Sequence, residues 1–188
     1  DGIEFFGGTV NASNLLIWAQ GDDALDIDQA YSGTINNAVV ILGANSDHAF
    51  EIDGPEGAAT GAFTLNNVTI IGNSVTEDGE YADYRSGAMG STENIYAYGF
   101  KETSDVELDN DGVATNYNNG LLTFGAWEIV LPSGVSDVAS IFVNKASAVE
   151  VSGFGSTATA VTEGVNTVGA TTSLLSWTYA NSKAGLGF

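Results

Sequence analysis

Carboxylates stand at one fixed place in a short pattern that returns along the chain. Gly2-Ile3-Glu4-Phe5-Phe6, Ala24-Leu25-Asp26-Ile27-Asp28, Ala49-Phe50-Glu51-Ile52-Asp53 and Asp105-Val106-Glu107-Leu108-Asp109 each hold an acid between two apolar residues. If these segments are strands stacked in register, Glu4, Asp26, Glu51 and Glu107 share one face, and Asp28, Asp53 and Asp109 follow two residues on. Asp22, Asp23 and Asp47 lie just ahead of the strands. Like charges about 4 Å apart repel by ~1 kcal/mol in water and ~4 kcal/mol at an effective dielectric of about 20. Such a ladder calls for cations. Hard carboxylate oxygens suit Ca²⁺, so Ca²⁺ is the expected ion, with Glu4, Asp22, Asp23, Asp26, Asp28, Asp47, Glu51 and Asp53 as its ligands. Arg85, which lies between Glu51 and Glu107 in sequence, is expected to occupy the gap in the ladder. The alternative is a solvated acidic face, and no EF-hand loop or nonapeptide Ca²⁺ repeat decides between them.

Closely spaced carboxylates also serve acid–base chemistry at a glycosidic bond. His48 is the only histidine and has Asp47 beside it to orient it. No Gly-x-Ser-x-Gly motif supplies a nucleophile for a triad. The chain has no cysteine, which excludes disulfides, thiolate nucleophiles and cysteine-ligated metals. Lyase chemistry needs a basic group near neutralised carboxylates, and Lys101 and Arg85 are the bases on offer. Trp18, Tyr31, Tyr81, Tyr84, Tyr96, Tyr98 and Tyr117 are stacking surfaces for sugar rings if exposed, and core or rim residues otherwise. Gly7-Gly8 reads as a corner and not a phosphate loop, because no helical pattern follows it.

Composition narrows the partners. The chain has 188 residues, 24 acids against 4 Lys and Arg, and a formal net charge of −20. A chain this acidic cannot bind a nucleic-acid backbone by counterion release, and an anionic membrane surface repels it. No apolar run reaches the length of a membrane span. With 44% hydrophobic and 15% charged residues the composition is globular, and 24 glycines against two prolines signal many tight turns. Abundant Asn, Thr, Gly and Asp suit a secreted or cell-surface location.

The elements that position these residues come from repetition. A second pattern alternates with the first: Ser13-Asn14-Leu15-Leu16-Ile17, Asn36-Asn37-Ala38-Val39-Val40, Asn66-Asn67-Val68-Thr69-Ile70 and Glu93-Asn94-Ile95-Tyr96-Ala97. Leu121–Ile129 is a fifth copy with Ala126 where the asparagine belongs. Short strands, glycine corners and a period in the 20–50-residue range predict a parallel β-solenoid, right-handed by the crossover rule. One coil cannot bury Ile3, Phe5, Leu25 or Ile27 alone, whereas stacked coils bury them together. The asparagines are expected to form an interior ladder at turns in the left-handed conformation. Loops are expected at 54–62, 73–84 and 110–119. The coils span 1–131, and 132–188 is a β-rich region of the same domain that covers the last coil, with a short helix within 174–180.

Asp1–Asn11, Gly21–Asp28, Glu51–Gly57 and Asn166–Ala170 resemble secreted or surface-anchored bacterial right-handed parallel β-helix repeat proteins, over most of the chain. That resemblance implies the fold and an extracellular location. Asp1-Gly2, Asp22-Asp23, His48 and Arg85 are also similar to the succession in polygalacturonase-type β-helix hydrolases, which implies Asp22, Asp23, His48 and Arg85 as catalytic residues. The sequence departs from that pattern: His48 sits in Ser-Asp-His and no Arg-x-Lys pair is present. The resulting expectation is a structural or binding module, Ca²⁺-stabilised and glycan-binding, and not an enzyme. A polysaccharide hydrolase or lyase is the first alternative, and a head-to-tail filament or surface-layer component the second. Glycan or a cell-surface protein is the expected partner, with an upstream domain or another copy at the open edge of strand 2–6.

Overall fold

A computed structural model describes residues 1–74 and 79–188. In chain order the strands are β1 (Ile3–Phe6), β2 (Ala12–Trp18), β3 (Leu25–Asp28), β4 (Thr34–Ile41), β5 (His48–Asp53), β6 (Phe63–Ile71), β7 (Glu80–Arg85), β8 (Gly90–Tyr98) and β9 (Val106–Leu108). Helix α1 (Asp111–Asn118), β10 (Leu122–Phe124), β11 (Trp127–Ile129), β12 (Phe142–Asn144), β13 (Ala158–Ala160) and helix α2 (Tyr179–Ala184) complete the order. The chain alternates between two sheets. One runs β1-β3-β5-β7-β9-β12, the other β2-β4-β6-β8-β11-β13, with β10 also on β8. Every pairing among the described residues is parallel. The fold is the expected parallel β-helix.

Register explains why it holds. Leu25, Phe50, Ala82 and Val106 stack in one inward column, and Ile27, Ile52, Tyr84 and Leu108 in the next. From the second sheet come Ala38, Val68, Ile95 and Trp127, then Val40, Ile70, Ala97 and Ile129. All sixteen are buried. A fully buried Leu, Ile or Phe contributes about 1.5–3 kcal/mol, and the columns together form one core.

The asparagine ladder exists, at the bends and outside the apolar columns, with Asn37 buried and Asn14, Asn67 and Asn94 half-buried. Asn14, Asn37, Asn67 and Asn94 adopt φ of 57°, 64°, 56° and 56°. Each inserts two outward residues between inward ones, as Asn36 and Asn37 do between Ile35 and Ala38, and so bends its strand. Asn37 Nδ2 donates to Asn14 Oδ1 (2.7 Å), Asn67 Nδ2 to Asn36 Oδ1 (2.9 Å) and Asn94 Nδ2 to Asn66 Oδ1 (2.9 Å). None belongs to the core cluster. Ala126 stands at the matching position, since Trp127 pairs with Ile95, and there the strand breaks into β10 and β11.

Two expected loops differ. Residues 80–85 are β7, whose Ala82 and Tyr84 keep the inward beat, so only 73–79 connect; residues 75–78 of that loop lie outside the described residues. Residues 111–118 are a helix because Asn110 caps it, accepting from the backbone N–H of Gly112 and Val113. Segment 54–62 is a loop.

Residues 132–188 add β12 beyond β9 and β13 beyond β11. The chain then runs back across the outside of the second sheet as a strap. Thr167 bonds to Glu128 on β11, Ala170 to Thr69 on β6, and Thr171 to Asn37 on β4. A 3₁₀ turn (Thr172–Leu175) reaches β2. Gly169 (φ 112°) leaves no room for a Cβ, which would lie 2.8 Å from both Thr69 Oγ1 and Tyr96 Cβ.

The bend predicts a substitution order at Asn67. Asn67→Val puts a β-branched residue in the left-handed region and should cost about 2–3 kcal/mol, against about 1 kcal/mol for Asn67→Gly, which loses only the amide bond. Denaturant midpoints check this, and equal losses for the two would contradict the bend.

Candidate functional site

The outward face of the first sheet carries the acids. Glu4, Asp26, Glu51, Asp83 and Glu107 pair in register along one column, about 4.8 Å apart from strand to strand. Asp83, not Arg85, fills the gap in the ladder. Arg85 lies two residues on, in register with Asp53. The beat Tyr81-Ala82-Asp83-Tyr84 carried the signal for Asp83, which the assignment of that stretch to a loop hid.

Arg85 reaches back over three carboxylates. Its Nε donates to Asp53 Oδ2 (2.8 Å), its Nη2 contacts Glu51, and its Nη1 lies 3.6 Å from Asp83 Oδ2. Lys145, just past β12, contacts Glu107 and lies 3.7 Å from Asp105. Sequence reasoning missed Lys145, since β12 carries no acid to mark it. The two cations sit over the later rungs. Asp26, in the earlier part, has none among the described residues: 6% exposed, it pairs with Glu4 and Glu51, and no described residue hydrogen-bonds its Oδ1.

Protonation follows this distribution. Burial, then the charges of Asp28, Glu4, Asp23 and Asp53, push Asp26 up to about 7. Burial pushes Asp83 up to about 6 even with Arg85 nearby. Glu80 rises to about 7 through burial and a hydrogen bond shared with Asp105. Asp23 goes the other way. Burial alone would raise it, but hydrogen bonds from His48 hold it below the usual carboxylate range. His48 Nδ1 lies 2.7 Å from Asp23 Oδ1, and its backbone N–H donates to the same oxygen (2.9 Å). Burial would lower His48, yet Asp23 and Asp47, the latter 3.8 Å away, carry it upward.

Of the sequence-derived ligands, the fold gathers Glu4 and Asp26 with Asp1, Asp22 and Asp23 with Asp1, and Asp23 and Asp47 with His48, each trio with one ligand atom per residue inside 4.8 Å; Asp1 and His48 were not among the expected ligands. Glu80, Asp105 and Glu107, and Asp83, Glu107 and Asp109, form two further trios. Asp28, Glu51 and Asp53 fall outside all five, and Glu51 and Asp53 hold Arg85 instead. The expected catalytic set is split. Asp22, Asp23 and His48 are at the start of the strands, whereas Arg85 is five residues beyond Glu80, the register partner of His48, or about 16 Å along the strand. Lys101 lies outside the ladder in the turn after β8. Of the aromatics, Tyr31, Tyr81, Tyr84 and Tyr96 are buried, Tyr98 and Tyr117 half-buried, and Trp18 exposed.

The shifts fix the sign of a pH effect. Asp26, Asp83 and Glu80 hold protons more tightly folded than unfolded, so the stability they contribute is complete below about pH 4 and is lost as pH rises through about 6–7. His48 acts in the same direction, and Asp23 matters only below the unfolded carboxylate value. Without added divalent ions, the melting temperature should fall from about pH 5 to about pH 8. Thermal unfolding across that range checks it, and a rise would show that the ladder is not protonated.

Comparison with known families agrees with the architecture. The family described as a pectate-lyase like beta helix domain matches residues 1–181. Searches of curated proteins and of solved structures returned no match. The described helices include none long and apolar enough to cross a membrane. With the match running through both sheets and the strap, the chain belongs to the pectate-lyase-like β-helix domain family.

Proposed function

We propose that the protein is a secreted or cell-surface β-helix module whose acidic face takes Ca²⁺ and, through it, glycan, binding without turnover. Asp26 carries this reading. It is a buried carboxylate with an oxygen unpartnered among the described residues, beside Asp1 and Glu4, and neither Arg85 nor Lys145 forms an ion pair with it. Carboxylates at that spacing are hard-ion ligands. The engagement of Arg85 with Glu51, Asp53 and Asp83 supports binding over catalysis, because no free base stands beside Asp23 and His48.

One observation favours polysaccharide hydrolysis as a second reading. Asp23 is held ionised by His48 while Asp26, three residues on, is pushed to about 7. Environments that drive two carboxyls apart are the mark of an acid–base pair.

The first coil offers a further contact. β1 and β2 end their sheets, with Phe6, Val10 and Trp18 exposed beside them. Another coil, from an upstream segment or a second copy, fits such an edge. Screening of the −20 charge should then promote association of copies in salt or Ca²⁺, and sedimentation as a monomer under both conditions would remove the second copy.

Unfolding in Ca²⁺ against chelator tests the main reading. At about 100 times its Kd, Ca²⁺ should stabilise by about 2.7 kcal/mol, roughly 5–10 °C for a chain of this size. Asp26→Asn should raise the melting temperature in chelator and abolish most of the Ca²⁺ effect. Identical unfolding in Ca²⁺ and chelator overturns the proposal. Glycan cleavage that is lost in Asp23→Asn or His48→Ala promotes the hydrolase.

A further inference from the structure

The strap encloses a second concave surface, on the opposite sheet from the acids. Its floor is the outward face of β6 and β8, where Thr69 pairs with Tyr96 and Ile71 with Tyr98. Asn166, Ala170 and Thr172 of the strap form one wall and Phe188 the other, around about 230 Å³. Phe188 is pinned from both sides by Asn181, whose Oδ1 accepts from its backbone N–H (3.1 Å) and whose Nδ2 donates to its carbonyl (3.4 Å).

The lining combines ring faces with free polar groups. Tyr96 and Tyr98 lie with centroids 5.3 Å apart and planes at 32°. Tyr96 is a fixed wall, 5% exposed, its hydroxyl accepting from Gly164 N–H (3.0 Å). The half-buried Tyr98 has no hydrogen-bond partner for its hydroxyl among the described residues, and neither has Thr172. Asn166 spends its Nδ2 on Val168 (2.7 Å) and leaves Oδ1 open. No lining side chain among the described residues is charged. The volume is below the about 300–1,000 Å³ of pockets for drug-sized ligands, which limits an occupant to about one ring. An aromatic face edged by hydroxyl and amide groups matches a ring that is apolar on its face and hydroxylated on its rim.

The groove is built before any ligand arrives. Glu128 accepts from Thr167 N–H, Thr167 Oγ1 and Val168 N–H. Thr69 Oγ1 accepts from Ala170 N–H (2.9 Å), and Gly169 lets the strap approach Tyr96. Strap and sheet are therefore one rigid frame, and little ordering opposes binding.

We infer that this groove between the strap and the second sheet binds one neutral pyranose ring, stacked on Tyr98 and hydrogen-bonded by Tyr98, Thr172 and Asn166. It is a subsite distinct from the acidic face and needs no metal. It therefore stands or falls separately from the Ca²⁺ reading.

The test is NMR titration of the full chain, in chelator, with methyl glucoside, methyl galactoside and methyl mannoside, and with methyl galacturonate as the anionic control. At least one neutral glycoside should shift the Tyr98 and Thr172 signals saturably, with a Kd near the millimolar range. Methyl galacturonate should bind more weakly, because Glu163 acts electrostatically on Tyr98. Tyr98→Ala should weaken binding roughly tenfold, whereas Tyr98→Phe, which keeps the ring, should lose less. Thr172→Val, close in shape to threonine, should weaken it without moving the melting temperature, so loss of fold is not mistaken for loss of the site. No shift at Tyr96, Tyr98 or Thr172 with any neutral glycoside overturns the inference. So does tighter binding of the anionic control, or binding that Asp26→Asn abolishes.

Discussion

Parallel pairing in register is the constraint on which the rest depends, because it sets each side chain about 4.8 Å from its counterpart in the next coil. Inward, repetition is favourable: Leu25, Phe50, Ala82 and Val106 each bury the next. At the bends it is favourable again, since asparagine tolerates the left-handed conformation and its amide links coil to coil. On the outward face of the first sheet it opposes folding. Five carboxylates in one column cannot all stay ionised at that spacing without countercharge. The column meets the cost in two ways. Arg85 and Lys145 neutralise the later rungs, and burial holds protons on Asp26 and Asp83. Asp26 relies on the proton alone, which makes it the rung where an external cation changes most.

The second sheet meets the same constraint with different residues. Its outward column reads Leu16, Val39, Thr69, Tyr96 and Glu128. Left open, that column would put Val39 and Tyr96 in water. The strap covers it, and its order of contacts, Glu128 then Thr69 then Asn37, retraces the coils from last to first. The lowered protonation of Glu128, whose burial is outweighed by three donors from the strap, marks where the strap is fastened.

How much was legible in sequence depended on whether a residue repeats. Glu4, Asp26, Glu51 and Glu107 were found because one pattern recurs, and their register follows it. Asp83 escaped because β7 follows an irregular connection and carries Tyr81-Ala82 where β5 carries Ala49-Phe50, which inverts the small-apolar start of the pattern. Arg85 was then placed one column too near the ladder, since sequence order cannot tell which of two residues with the same orientation aligns with Glu51. Lys145 and the strap lie beyond the last repeat, where contacts such as Thr171 to Asn37 join residues 134 apart and leave no local periodicity. The helix at 111–118 had a local signal, the Asn110 cap before Asp111, that the repeat reading overrode.

Asp26 also decides whether the two functional readings can coexist. As a general acid it must enter the reaction protonated, which burial and the neighbouring carboxylates favour. As a metal ligand it must be ionised, and a divalent cation among Asp1, Glu4 and Asp26 would expel that proton. Cation and proton therefore compete for the same oxygen, and a loaded face has no acid at that position. The hydrolytic reading requires an acidic face free of metal near neutral pH, whereas the binding reading requires the reverse. Arg85 does not relieve the conflict, because its guanidinium is spent on Glu51, Asp53 and Asp83. If Ca²⁺ binds as proposed, it displaces that proton, and the chemistry left to the ladder is coordination.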